Sequence, residues 1–227
     1  MIRESLETWW GGLLYPGRAG ELIVQRRVPA GFDAVLVVWC LVLLAIYGAS
    51  MGLFSGPRGA LYAAIKLPLL YGVSLAVSFP ALYVANAHFG PRLRIDQTAR
   101  LLLMAISANV VALASYAPVS YFFVLTTSPA GYEFLVLMHV AVFLLAGLGT
   151  VMVVILLFRA TCMEVGSRLR PGFVLSWGIL FGLVVSHASW VLRPWVGARE
   201  IEYTFLRTQE SSFLEAIARL VWPHLVG

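Results

Sequence analysis

Five apolar runs between Ala34 and Leu192 decide what this chain can become. A helix needs about 20 apolar residues to cross about 30 Å of hydrocarbon, and each run approaches or exceeds that length. The expected spans are 34–54, 60–88, 100–116, 133–158 and 172–192. The expected fold is therefore an all-α polytopic transmembrane helix bundle of about five spans, with amphipathic interfacial helices at both ends. It divides into a cytoplasmic interfacial segment, 1–33, a transmembrane domain, 34–192, and an amphipathic tail, 193–227. Composition agrees: 60% of residues are hydrophobic and 12% charged, where a soluble domain carries about 25% charged. The connectors leave no room for a separate soluble domain.

The formal charge of +5 invites a nucleic-acid reading, but the basic residues sit at the ends of apolar runs and form no single soluble face. No nucleic-acid partner is expected. Arg3, Arg18, Arg26, Arg27, Arg92, Arg94, Arg100, Arg159, Arg168 and Arg170 fall on one side of the membrane, whereas the short loops on the other side supply Arg58 alone. The positive-inside rule then puts the N-terminus in the cytoplasm. An odd number of spans sends Arg193, Arg199, Arg207 and Arg219 of the tail outward, balanced by Glu200, Glu202, Glu210 and Glu215, unless the tail re-enters or crosses as a sixth segment. The short connectors make a bacterial inner membrane the expected location. A cleavable signal peptide is not expected, because 1–33 lacks an apolar core and carries Glu4, Glu7, Glu21 and Asp33.

Local punctuation refines the layout. Trp9 and Trp10 lie in a mixed opening stretch suited to the membrane interface, which Pro16, Gly17 and Gly20 are expected to break. Gly48, Gly52 and Gly56 recur every four residues and offer a close-approach stripe, within one molecule or between two; Gly147 and Gly149 offer another. Pro68 and Pro80 should kink or tilt the second span, and Pro118 should end or bend the third. In the tail, Ser212 and Glu215 have capping-box spacing ahead of an apolar stripe, so a surface helix is expected before Pro223.

Ionisable groups inside a span cost about 2.5–3.5 kcal/mol on insertion scales, so each needs a reason. Lys66, Glu133, His139 and His187 all fall toward the outer ends of their spans and are a candidate intramembrane polar cluster, able to bind an ion or relay protons. The competing reading has Lys66 snorkelling, Glu133 in a loop and the histidines hydrogen-bonded to neighbours. Asn109 is expected to bond across helices and hold the bundle, while Asn86 and His88 are expected at the interface. Trp190, Arg193 and Trp195, in the string WVLRPWVG, form a candidate lipid or partner anchor, Arg193 binding phosphate or stacking on an indole.

Catalytic and metal motifs are missing from the pattern. No GxSxG, HExxH or phosphate-binding glycine motif occurs, Ser186 and His187 are adjacent and so diverge on a helix, and Cys40 and Cys162 lack metal-ligand spacing. A noncatalytic protein without cofactor or metal is expected.

The Leu-Leu-Tyr-Pro step at Leu13 to Pro16, behind an amphipathic lead and ahead of five closely spaced spans, resembles the Yip family of membrane proteins, named for interacting with Ypt/Rab GTPases, and its bacterial relatives. The stretch from Ala64 to Pro80 and WVLRPWVG also look like bacterial membrane proteins of that kind. The resemblance implies five spans and a cytoplasmic N-terminus. It does not extend to GTPase binding, because the acidic and aromatic signatures of the eukaryotic members are not evident. The expected role is a noncatalytic membrane scaffold or complex subunit, in contact with lipids and with other membrane subunits or further copies of itself. The alternative is a channel or transporter lined by the polar cluster.

Overall fold

The computed structural model describes residues 2–128, 131–168, 170–193 and 195–196. The expected tail helix lies outside the described residues. Among them the chain is all-helical: α1 (Ile2–Leu14), α2 (Pro16–Val24), α3 (Phe32–Gly52), α4 (Pro57–Phe89), α5 (Ile95–Ser115), α6 (Ala117–Thr126), α7 (Tyr132–Glu164) and α8 (Pro171–Val191). Five segments are long and apolar enough to cross a membrane: Phe32–Ser55, Pro57–His88, Ile95–Thr126, Tyr132–Glu164 and Gly172–Val191. This is the fold of an integral membrane protein. Leu144, Leu148 and Met152 of α7 and Leu175, Ile179 and Leu183 of α8 are exposed at mid-span, where lipid tails are the natural solvent.

The tightest pair is the α3–α4 hairpin. A short 3₁₀ turn, Leu53–Ser55, tightens the end of α3, Gly56 reverses the chain at φ 97°, and Pro57 opens α4 where its missing N–H costs nothing. A side chain at Gly48 would collide with the Ala63 carbonyl, and one at Gly52 with the Gly59 carbonyl and Ala63. The glycine stripe therefore serves contact within the molecule, and Gly56 serves the turn.

α4 continues through both Pro68 and Pro80. The third span divides at Tyr116. There α5 ends and α6 begins with Pro118 in its first turn, so the aromatic stretch Tyr121 to Phe123 extends the span in place of leaving it.

The N-terminal lead departs from expectation. Pro16 does separate two helices, but Gly17 and Gly20 lie inside α2 and do not break it. At Gly20 an added Cβ would stand 2.9 Å from the Leu157 carbonyl and 3.2 Å from Thr161 Oγ1. The glycine lets α2 dock on α7. In α1, Ser5, Trp9 and Gly12 face inward while Trp10 and Leu14, with Tyr15 just beyond, face out. The lead is thus a helical hairpin packed on one end of the bundle, with an apolar outer edge left for the interface.

Gly147 and Gly149 correct a second expectation. Among the described residues nothing lies within 4 Å of where their side chains would begin, and Gly149 is exposed. They make no close-approach face in this molecule.

Candidate functional site

The structure divides the four candidate cluster residues into two pairs. Lys66 is fully buried and His139 nearly so, whereas Glu133 and His187 are exposed. The two hydrogen bonds of His139 run to Tyr47 and Ser120.

His139 belongs to a different group. Its Nδ1 lies 2.9 Å from the Tyr47 hydroxyl and its Nε2 3.5 Å from the Ser120 hydroxyl, so α3, α6 and α7 meet at one imidazole. A neutral ring satisfies both contacts, accepting at one nitrogen and donating at the other. Tyr47 and Phe143 add an edge-on ring contact at 5.9 Å. The signal that would have found this group is weak, since tyrosine and serine are ordinary in spans.

Asn109 performs the role expected of it. The Tyr71 hydroxyl on α4 donates to its Oδ1. Its Nδ2 donates to Thr150 Oγ1 on α7 at 2.9 Å, and that hydroxyl donates to the Ala146 carbonyl at 2.8 Å. One amide ties three helices through a chain of satisfied groups.

Asn86 was expected at the interface and is instead fully buried. Its Nδ2 donates to Thr98 Oγ1 at 2.9 Å, closing α4 against the start of α5. His88, the penultimate residue of α4, is exposed, and its Nδ1–H donates to the Val84 carbonyl at 3.0 Å.

The same end of the bundle carries a polar belt. Arg100 grips Asp33 with two nitrogens, Nε to Oδ1 and Nη2 to Oδ2, each at 3.0 Å, and so fixes α5 to α3. Gln25 Nε2 donates to Glu164 at 3.0 Å, and Gln97 Nε2 donates to the Val24 carbonyl at 3.0 Å. These bonds pin the N-terminal hairpin to α5 and α7.

At the opposite end, Arg193 stacks 3.5 Å over the Trp190 ring, and Trp195 Nε1 donates to the Ser189 carbonyl at 3.0 Å. The stacking half of the anchor expectation is present. In the N-terminal pair the two indoles separate: Trp9 is buried and stacked 6.4 Å from Trp39, and Trp10 is exposed.

Among the described residues no group of three His, Cys, Asp or Glu side chains is assembled to hold a metal ion, and Cys40 and Cys162 are buried free thiols. Compared with protein-family models, curated proteins and solved structures, the chain matches none.

Proposed function

We propose that the protein is a noncatalytic membrane scaffold or a subunit of a membrane protein complex. The observation that carries this reading is where the interior polar groups go. Asn109, His139 and Asn86 bond from helix to helix. Polar groups used in this way stiffen a bundle and leave its function to its surfaces. The least buried of the five spans, α8, packs chiefly on α4 and offers Leu175, Ile179 and Leu183 outward.

The scaffold works from a bacterial inner membrane with its N-terminal hairpin on the cytoplasmic side, and kinship with the Yip family is part of the same proposal. Support for that orientation is the arginine distribution around α2, α5 and the α7–α8 connector. Photocrosslinking from Ile179 in native membranes tests the role. A discrete protein adduct is expected; lipid adducts alone, with a solitary monomer in mild detergent, overturn it.

A second reading, a channel or transporter, draws on one row of residues. Lys66, Ser74 and Ser78 are fully buried along α4, and the two serine hydroxyls lack a hydrogen-bond partner among the described residues. Such a row can hold water or an ion. Flux in proteoliposomes that falls on replacing Lys66 and Ser74 by alanine would establish this reading over the first.

A further inference from the structure

We propose that the arginine-rich end of the bundle holds an anionic phospholipid, its phosphate on Arg27 and Arg92 and an acyl chain in the groove along the last turns of α4. The inference is independent of the scaffold reading. Two loops distant in sequence meet at the start of α5. Gln97 holds the Val24 carbonyl at 3.0 Å, and the Arg26 guanidinium stands 3.8 Å from Asp96, which Arg94 also approaches at 3.3 Å.

Three acids at this end are engaged, and a fourth, Glu21 on α2, is exposed with no ion pair among the described residues. Asp96 faces two arginines, Asp33 is gripped by Arg100, and Glu164 accepts from Gln25. Arg27 and Arg92 are exposed and have no carboxylate partner among the described residues. Arg26 and Arg94 share the Asp96 carboxylate, and Arg27 and Arg92, adjacent to them in the same two loops, add positive charge with no ion-pair partner among the described residues. The loop bearing Arg92 is anchored by buried Leu93.

Beside the charge lies an apolar depression of about 600 Å³ lined by Pro80, Ala81, Val84, Ala85 and His88. At about 1.5 Å rise per residue it runs about 12 Å along α4, and its lower end is followed directly by the loop carrying Arg92 and Arg94. Small side chains at 81 and 85 leave the channel open. A guanidinium fork matches a phosphate, and the apolar channel matches an acyl chain. A free phosphate ion would use the arginines and leave the groove without an occupant, so the combination selects a lipid.

Native mass spectrometry of the full chain in mild detergent tests this with phosphatidylglycerol and phosphatidylcholine of identical chains. Preferential retention of phosphatidylglycerol is expected. The double variant R27Q/R92Q should lower that preference about 30-fold, and each single variant about 5-fold. The single variants, being at exposed positions, decide the matter if the double variant does not fold. R58Q, at the opposite end, should leave it unchanged. A81W should weaken retention of long-chain phosphatidylglycerol more than that of the dihexanoyl form. Equal retention of both lipids by the unaltered chain, an equal loss in R58Q, or displacement by millimolar inorganic phosphate overturns the proposal.

Discussion

Two pairs of glycines in this protein have opposite fates. Gly48 and Gly52 on α3 lie against the Ala63 and Gly59 carbonyls of α4 with no room for a methyl group, while Gly147 and Gly149 on α7 meet nothing within 4 Å among the described residues. Residues four apart share a helix face. Residues two apart are rotated by about 200° and cannot. Spacing separates a packing stripe from two unrelated glycines, and composition alone does not.

Leucine at Gly52 should do the most damage to this comparison. Its Cβ meets backbone that cannot swing aside, so loss of the folded bundle is expected, seen as disappearance of the monodisperse peak in detergent chromatography. Overpacking of an adaptable core costs about 1–3 kcal/mol, and a collision with backbone belongs at or above the top of that range. A Gly52→Leu protein as heat-stable as the parent would show that α3 and α4 do not pack as described.

Smaller effects are expected where polar bonds, and not backbone contacts, join the helices. Asn109→Ala removes contacts to both α4 and α7. Interhelical bonds in membranes average about 0.6 kcal/mol, so a loss of about 1 kcal/mol is expected in reversible unfolding from mixed micelles. Tyr47→Phe removes one bond to His139 and should cost about half as much. If Tyr47→Phe costs more than Asn109→Ala, the imidazole carries more of the bundle than the amide.

The smallest change should come from Gly149→Ala. At an exposed helical site with open space, alanine is favoured by up to about 1 kcal/mol, so thermal stability should hold or rise slightly. A marked fall would mean that α7 meets another protein chain at this glycine, which sharpens the scaffold reading and identifies the docking face.

The spans were legible because length and apolarity are properties of the chain before it folds. Gly48 and Gly52 announced a close approach, and Asn109 announced itself as an amide too costly to leave bare. The docking of α2 was not legible. Gly20 reads as a helix breaker in isolation, and only α7 beside it reveals a residue kept small for contact. The third span was drawn short for a similar reason: Pro118 marks a boundary in sequence, yet it falls in the first turn of α6, where a missing N–H is harmless.

The candidate cluster shows the limit most clearly. Lys66, Glu133, His139 and His187 were grouped by depth, which sequence reports; that Lys66 and His139 are buried while Glu133 and His187 are exposed depends on helix rotation, which it does not report. In a soluble protein an apolar stripe would reveal each helix's inner face. In a bilayer, lipid tails are as apolar as leucine, so the inward and outward faces of α7 and α8 read alike. The number of spans, the residues that share a face and the end bearing the positive charge were therefore written in the chain. Which polar group meets which was decided in the folded bundle, because those meetings depend on how each helix turns about its axis, and only close packing and a handful of hydrogen bonds set that angle.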